Sequence, residues 1–446
     1  MISIIRREIH DLVSDHKFSE ILRGSAWALG ARIIATGLGL ATTIIIARAY
    51  SAEVLGIVAV INSFLMLATI FTVLGTNTSI LRLIPEHLTK YSPSSAFRVY
   101  RKTQYLVLGT SLVTGGLLFF GSGFIAETIF SKPHFQPYFV LAAVFIIFKS
   151  LMLLNQQAVR GLRMIKVFAL MHLLPQLFKL LILVPLTIFI FHQDNPIYAL
   201  MASFALTALV GAWIMNRAFK QKSGPKDSLH PMPMRDILSL SLPMLMTATM
   251  TFVIGQTGVL MLGIFRPEAE VGYYAVAVKL ATLTAFILNA VNSMAGPKFS
   301  ELFHSGKMDE LFYVAKKSAK LIFWTTTPIL LAFILLGKPI LHFIFGPEFA
   351  VAYLPLVLLV LGQFVHSISG ATGLFMNMTG HQNTFRNIVF VAALSNVALN
   401  LLLTPEYGIY GAAIAAMISL AGWNIATLAY IKLKFGRTTG YFPKLA

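Results

Sequence analysis

The chain has 446 residues, of which 57% are hydrophobic and only 12% charged, and its mean hydropathy is +0.77. Soluble proteins carry about 25% charged residues, so this composition indicates a polytopic membrane protein. The absence of cysteine excludes disulfides, thiolate zinc sites and cysteine nucleophiles. A net charge of +18 would suit nucleic-acid binding, but in a membrane protein it first suggests basic cytoplasmic loops.

The N-terminal residues 1–23 are polar and mixed in charge. The helical spacing of Ile2, Ile5 and Ile9 predicts a cytoplasmic amphipathic segment on the membrane surface. We expect no signal peptide there, because no apolar run precedes a small-residue cleavage site.

Twelve apolar segments long enough to cross ~30 Å of hydrocarbon follow in chain order. Their approximate limits are 24–50, 54–81, 104–129, 138–159, 167–191, 197–218, 237–265, 271–295, 319–345, 351–378, 385–404 and 409–431.

The basic residues test this topology. With a cytoplasmic N-terminus, 27 of the 35 Lys and Arg residues fall in inside segments. The outside loops hold only Arg48, Lys132, Arg266 and Lys338. This alternation follows the positive-inside rule and predicts that both termini are cytoplasmic. Because topology explains most of the charge, we expect no nucleic-acid partner.

The sequence also repeats itself. YSAEVLGIVAV from Tyr50 resembles RPEAEVGYYAV from Arg266, with Gly56 matching Gly272, and AETIFSKPHF from Ala126 resembles LHFIFGPEFA from Leu341. A third pair is RGLRMIKVFALMHLLPQLFKLLIL and TGHQNTFRNIVFVAALSNVALNLLL. The repeat predicts two six-helix lobes in the same orientation. The predicted lobes are 24–220 and 236–433, joined by a cytoplasmic linker at 221–235 and followed by a cytoplasmic tail at 434–446.

Catalytic motifs are missing from this sequence. It has neither a phosphate-binding G-x-x-x-x-G-K-[ST] loop nor an H-E-x-x-H zinc motif. Nearly all of its 17 acidic residues lie in loops or at segment ends, so no carboxylate pair falls at mid-membrane. We therefore expect neither an enzyme nor a catalytic residue, a metal site or a cofactor.

Four cations lie within the apolar segments and are not explained by topology: Arg32, Lys149, Lys179 and Lys279. Snorkelling toward the interface suits a residue near a segment end, but it suits Lys149 and Lys179 poorly. A structural ion pair would need an acidic residue at the same depth. We interpret the four as cations of a shared cavity that binds an anion, with arginine suited to phosphate and lysine acting as a point charge.

Uncharged polar side chains accompany these cations. Asn62, Gln256, Asn289 and Gln363 are candidates to face a glycan, although amides within a membrane also hold helices together. His172 and His366 are candidates for proton coupling, with packed neutral histidines as the alternative.

The sequence resembles a known family at three places. These are RGSAWALGARIIATGLGLATTIIIARAYSAEVLGIVAVINSF from Arg23, LRLIPEHLTK from Leu81 and GPEF from Gly346. They are similar to polysaccharide (O-antigen type) flippases of the multidrug/oligosaccharidyl-lipid/polysaccharide exporter superfamily. The likeness extends over essentially the whole chain, and its motifs are diffuse.

The resemblance implies an all-α polytopic fold like that of the MATE carriers, with two six-helix lobes around a cationic cavity. It implies export of an oligosaccharide linked to a polyprenyl diphosphate of the undecaprenyl type, in a bacterial inner membrane, for O-antigen, capsule or exopolysaccharide synthesis. By position, Arg32 and Lys279 are similar to the family's cavity cations. The implied partners are this lipid-linked oligosaccharide and membrane lipids. H⁺ or Na⁺ is a candidate coupling ion, and a polysaccharide polymerase and glycosyltransferases are candidate partner proteins.

Alternative functions remain open. A MATE-type drug or cation antiporter would share the fold but would need an acidic cavity. A membrane-bound polysaccharide polymerase would need a large outer loop, and the longest one predicted here has about ten residues.

Overall fold

A computed structural model describes residues 16–222 and 232–443, which are helical almost throughout and include no strand. The helices are α1 (His16–Ala49), α2 (Ala52–Val73), α3 (Thr76–Lys90), α4 (Pro93–Phe124), α5 (Gln136–Gly161), α6 (Ile165–Phe189), α7 (Asn195–Lys222), α8 (Met234–Phe265), α9 (Glu268–Thr282), α10 (Ala285–His304), α11 (Met308–Ile340), α12 (Tyr353–Ser369), α13 (Thr372–Met378) and α14 (Gln382–Phe435). The short π-helical turns Ile125–Ile129 and Leu341–Phe345 extend α4 and α11. The 3-10 turns Pro133–Phe135 and Pro347–Ala352 precede α5 and α12.

Local sequence explains where several helices begin. The hydroxyl of Ser51 accepts from the backbone N–H of Val54 at 3.4 Å, and that of Ser92 accepts from Ser95 at 3.1 Å. Both serines satisfy N–H groups that have no partner within the helix. Pro93 follows at the first helical position of α4, where its missing N–H costs nothing.

The predicted segment 54–81 is not one straight span. Its helix breaks at Leu74 and Gly75, which have φ values of 48° and 76°. A Cβ on Gly75 would lie 2.2 Å from the carbonyl oxygen of Ser241, so glycine is required there by both backbone conformation and close packing. The break is followed by the polar residues Thr76, Asn77, Thr78 and Ser79, a signal that the predicted segment 54–81 did not use.

Similar breaks affect the span count. Among the described residues, nine helices are long and apolar enough to cross a membrane, or ten if the pair Glu268–Thr282 and Ala285–Asn292, bent by 40°, is one span. α14 has 54 residues with non-helical angles at Gly408, and its ~81 Å exceeds twice the thickness of a bilayer core. It therefore contains the two predicted segments 385–404 and 409–431. The total of twelve is not confirmed and stays a prediction.

The two halves of the chain pack against each other along their central helices. α2 contacts α9, and α8 contacts α14 and α2. Within the first half, α1 lies along α6. A core of buried aliphatic and aromatic side chains runs through both halves, from Ile46 and Val60 to Val271 and Val360. The cavity described below lies among α1, α2, α6, α7 and α9.

One end of the bundle, which the charge pattern predicts to be outside, is closed by polar contacts between the halves. Lys132 of the first half makes an ion pair of 3.2 Å with Glu268 of the second. In the other direction, Glu348 accepts from the backbone N–H of Ala52 at 3.2 Å, and Arg48 donates to the carbonyls of Phe343 and Ile344. We call these reciprocal contacts the outer clasp.

The opposite end, predicted to be cytoplasmic, is described only in part. Residues 1–15 of the predicted amphipathic segment, residues 223–231 of the predicted linker and residues 444–446 of the predicted tail lie outside the described residues. Beside the linker, Lys102 donates to the carbonyl of Met232 at 2.7 Å. The division into two lobes stays a prediction.

Candidate functional site

A cavity of about 220 Å³ lies between the two halves of the chain. Its polar lining comes from Thr43, Asn62, Gln176, Lys179, Ser203 and Lys279, and its apolar lining from Ile46, Leu55, Val58, Ala59, Pro175, Leu200, Phe204 and Ala275. Two predicted cations, Lys179 and Lys279, therefore line the same cavity from opposite halves of the chain.

Lys279 bridges the halves through neutral groups. Its Nζ donates to the carbonyl oxygen of Gly39 and to Oγ1 of Thr43, both in α1. The same Thr43 hydroxyl donates to the Gly39 carbonyl at 2.8 Å. Gly39 leaves room for this arrangement, because a Cβ there would lie 3.2 Å from Oε1 of Gln176 and 3.5 Å from Nζ of Lys279. Carbonyl and hydroxyl dipoles solvate the ammonium group without neutralising it.

Lys179 lies in α6, three residues after Gln176 and four after Pro175. Residues at this spacing share one face of a helix, which explains why all three line the cavity. Pro175 also removes one backbone N–H from the α6 ladder, and the carbonyl of Met171, four residues before it, accepts instead from Nε2 of Gln156 at 2.9 Å.

Lys149 stands one layer behind the cavity. Only 4% of the residue is exposed. Its Nζ donates to Oδ1 of Asn62 at 3.0 Å and lies 4.7 Å from the centre of the Phe204 ring. Since Asn62 and Phe204 both line the cavity, Lys149 contributes positive potential and holds the Asn62 amide without itself forming the wall.

Arg32 lies apart from the three lysines. It is exposed, and its guanidinium carbon is 5.7 Å from the centre of the Phe286 ring. It precedes Gly39 by seven residues, or about 10.5 Å along α1. The four predicted cations thus do not form a single wall. Two line the cavity, one lies behind it, and Arg32 lies toward the predicted cytoplasmic end.

The candidate glycan-facing residues are also divided. Asn62 lines the cavity. Gln256 instead accepts from Oγ of Ser63 at 2.8 Å and links α8 to α2, while Asn289 donates to the Ala285 carbonyl of its own helix at 2.8 Å. Gln363 lines a separate space of about 10 Å³ in the second half, together with His366.

Among the polar lining residues, Thr43, Gln176 and Ser203 were not predicted as site residues, and neither was any of the apolar lining residues, including Phe204. Gln176 and Thr43 carry a signal that sequence reasoning could have used. Gln176 is one helical turn from Lys179, and Thr43 lies about three turns beyond Arg32 on α1. Ser203 and Phe204 in α7 carry no such signal, because α7 contains no cation at cavity depth to indicate which face points inward.

The electrostatics of the cavity favour an anion. No carboxylate lines it, and none in the described part of the chain makes an ion pair with Lys149, Lys179 or Lys279. Charges without a counterion at such depth are costly and act strongly on a bound anion where the local dielectric is low. The arrangement can hold a phosphate or another anionic group.

Comparison with known proteins gives a family and a fold. The family described as "Polysaccharide biosynthesis protein" matches residues 21–303. Over 225 residues the chain is 22% identical to the probable low-salt glycan biosynthesis flippase Agl15 of Haloferax volcanii, covering 50% of this chain and 46% of that relative. The chain therefore spans about half the length of the curated relatives that it matches.

Among solved structures, the chain resembles the lipid II flippase MurJ in an inward closed conformation. The TM-score is 0.70 at 16% identity, covering 90% of this chain and 86% of that one. It also resembles an inward-facing multidrug resistance MATE family transporter of the MOP superfamily, with a TM-score of 0.68 at 14% identity, over 92% and 98% of the two chains. These similarities confirm the predicted all-α, MATE-like polytopic fold.

Proposed function

Because the chain belongs to the family of polysaccharide biosynthesis proteins, with a match over residues 21–303, we propose that it is a flippase for an oligosaccharide linked to a polyprenyl diphosphate. It would carry this lipid from the cytoplasmic to the outer leaflet of a bacterial inner membrane, for surface polysaccharide synthesis. The observation that carries the proposal is the cavity in which Lys179 and Lys279 meet without a carboxylate.

The charge of the cavity suits the diphosphate. Two ammonium groups line it, and Lys149 adds a third immediately behind Asn62. Asn62, Gln176 and Ser203 offer hydrogen bonds that sugar hydroxyls can share. The polyprenyl tail would remain in the lipid, because burying it in this polar space would give up its apolar environment.

The geometry also suits alternating access. The outer clasp closes one end of the bundle through contacts between the halves, and Lys279 joins the halves beside the cavity. At about 220 Å³, the cavity is below the ~300–1,000 Å³ typical of sites that enclose a drug-sized ligand. The halves therefore have to separate to admit a glycan, and an inside-negative potential would favour outward movement by ~2.3 kcal/mol per charge per 100 mV.

Further parts of the proposal follow the predicted topology. Both termini would be cytoplasmic, and two six-helix lobes would rock about the linker at 221–235. H⁺ or Na⁺ would be exchanged for the substrate. Glycosyltransferases would act before the flippase, and a polymerase would act after it. The relatives point to a transporter rather than a catalytic enzyme, and the uncharged and cationic lining disfavours a carrier of cationic drugs.

The test is reconstitution of the purified chain in vesicles with a fluorescent short-chain polyprenyl-diphosphate disaccharide. Flipping is followed by the loss of fluorescence to an impermeant quencher. We expect flipping with wild type and at least a tenfold slower rate with Lys279→Gln, which removes an interaction worth ~1.5–3 kcal/mol. Lys298→Gln is the matched control, because Lys298 is an exposed lysine that pairs with Glu301 three residues away.

Two outcomes would contradict the proposal. If wild type flips the diphosphate lipid no faster than empty vesicles, the function is wrong. If Lys279→Gln flips at the wild-type rate at equal reconstitution, the assignment of the cavity is wrong.

A further inference from the structure

A second group of basic residues lies at the predicted cytoplasmic end of the first half. It consists of Arg32 in α1, Arg160 near the end of α5, and Lys166 and His172 in α6, and we call it the mouth cluster. All four residues are exposed. In the described part of the chain none of them makes an ion pair with a carboxylate.

Aromatic rings hold the members of the mouth cluster in place. The guanidinium carbon of Arg160 is 5.5 Å from the centre of the Phe168 ring, and that ring lies 5.0 Å from the ring of His172. Arg32 lies between Trp27 and Gly39 on α1, and these two residues contact Lys166 and Gln176 of α6, so Arg32 is at about the same level as His172. Nζ of Lys166 is 5.9 Å from the centre of the Trp27 ring. Cations held over rings are better ordered than side chains that are free in water.

The mouth cluster shares its helices with the cavity. α1 and α6 run side by side. Trp27 meets Lys166 near their starts and Gly39 meets Gln176 further along, so the two helices point in the same direction.

The spacing along the two helices is equal. Arg32 precedes Gly39 by seven residues, and His172 precedes Lys179 by seven. Seven residues are about two turns, so each pair stays close to one helix face while moving ~10.5 Å along it. The mouth cluster is therefore a second tier of positive charge, displaced from the cavity lysines toward the predicted cytoplasmic end.

We propose that the mouth cluster is a loading site for the diphosphate of the isoprenoid-linked substrate, which binds there before it reaches Lys179 and Lys279. This inference rests on the proposed function. Topology explains why Arg160 and Lys166 lie at this end. It does not explain why both are held over aromatic rings, Arg160 over Phe168 and Lys166 over Trp27 of α1, the helix that carries Arg32.

The residue types differ between the two tiers. The mouth cluster contains two guanidinium groups, which bind phosphate oxygens in pairs, whereas the cavity contains ammonium groups, which act as point charges. The exposed arginines can capture a diphosphate that is still partly hydrated. Lys179 and Lys279 then hold the diphosphate by charge alone, which allows its release at the outer leaflet.

The test measures binding to the full-length protein in nanodiscs of zwitterionic lipid. The probes are farnesyl diphosphate, farnesol and inorganic diphosphate. We expect wild type to bind farnesyl diphosphate more tightly than farnesol. Arg160→Gln should weaken the binding of farnesyl diphosphate about tenfold, because a charge-assisted hydrogen bond is lost. Arg217→Gln is the matched control, because Arg217 is likewise exposed and lies 5.4 Å from the Trp213 ring of its own helix. It should bind like wild type.

A double variant separates the tiers. Lys179→Gln with Lys279→Gln should abolish flipping but retain weakened diphosphate binding, and adding Arg160→Gln should remove that remainder. If wild type binds farnesol as tightly as farnesyl diphosphate, the proposed function fails. If wild type prefers the diphosphate but Arg160→Gln does not change its affinity, only the loading site fails.

Anionic bilayer lipids carry a similar phosphate and are the other source of ligand. Native mass spectrometry of nanodiscs that contain phosphatidylglycerol distinguishes the two. Loss of bound phosphatidylglycerol in Arg160→Gln, with unchanged affinity for farnesyl diphosphate, would make the mouth cluster a lipid anchor and overturn the proposal. Displacement of bound phosphatidylglycerol by farnesyl diphosphate in wild type, but not in Arg160→Gln, would support it.

Discussion

Gly56 and Gly272 pack backbone against backbone where α2 crosses α9. A Cβ on Gly56 would lie 1.8 Å from the carbonyl oxygen of Glu268, and a Cβ on Gly272 would lie 2.0 Å from that of Ala52. Gly56 contacts the residue four positions before Gly272, and Gly272 contacts the residue four positions before Gly56. This reciprocity is what a twofold relationship between the two helices requires. The two glycines also occupy matching positions of the sequence repeat.

Gly272→Val should force α2 and α9 apart. Overpacking costs ~1–3 kcal/mol, so we expect a lower unfolding temperature in detergent by light scattering. Gly116→Val is the control, because a Cβ on Gly116 would meet nothing within 4 Å. Equal unfolding temperatures of Gly272→Val and wild type would show that the two halves do not need this crossing.

Glu268→Gln should loosen the outer clasp. Glu268 pairs with Lys132 at 3.2 Å, and their side chains are only 12% and 13% exposed. Losing roughly 1–2 kcal/mol of ion pairing should raise the population with an open outer end about tenfold. Because the chain has no cysteine, Ser203→Cys in the cavity wall provides a single reporter. An impermeant thiol reagent added outside should label it faster in Glu268→Gln.

The control for the clasp is Glu301→Gln, which removes an exposed carboxylate whose partner, Lys298, lies in the same helix. Labelling of Ser203→Cys should not change in that background. A labelling rate in Glu268→Gln that matches the control would rule out the clasp as an outer gate.

Gly39→Ala should reduce transport without unfolding the protein. Its Cβ would approach Oε1 of Gln176 to 3.2 Å, which makes that amide move slightly, and would place a methyl group 3.5 Å from Nζ of Lys279, next to its bond with the Gly39 carbonyl. We expect flipping to slow about tenfold, since one charge-assisted hydrogen bond is disturbed. Gly37→Ala, two residues earlier in α1 with nothing within 4 Å of its Cβ, should flip at the wild-type rate. Equal rates in the two variants would count against a role for Gly39.

Lys149→Met should stabilise the protein and impair its function. A buried charge without a counterion destabilises the fold, and replacing it with an apolar group of similar length should add ~1–4 kcal/mol to the free energy of unfolding. Flipping should slow, because the cavity loses positive potential and Asn62 loses its donor. The unfolding temperature and the flipping rate are measured on the same preparation. A fall in both would instead make Lys149 a structural residue.

The sequence predicted the membrane class and the helical segments because hydropathy is a local property. It placed a boundary at the break of Gly408, between the predicted segments 385–404 and 409–431, but it missed the break inside the predicted segment 54–81, where Leu74 and Gly75 have φ values of 48° and 76°. Gly75 in particular is required by the carbonyl of Ser241, which is far away along the chain.

The sequence predicted individual residues of the candidate site but not their arrangement. An unexplained charge in an apolar segment identifies Lys179 and Lys279 individually, since a cation at that depth is costly and its depth can be read from the sequence. How the helices rotate and pack decides the rest. Lys179 and Lys279 line the same cavity, Lys149 lies behind Asn62, and Arg32 lies about two helical turns before Gly39 on α1.

The amino-acid sequence by itself determined that this chain crosses a membrane repeatedly, that its halves resemble each other, and that four cations lie within its spans without a topological reason. These properties follow from composition and spacing along one dimension. The tertiary structure alone decided that Glu268 closes on Lys132, that Gly39 makes room for Lys279, and that the cations divide into two tiers. Each of these contacts joins residues from different helices, so side-chain packing rather than local pattern determines it.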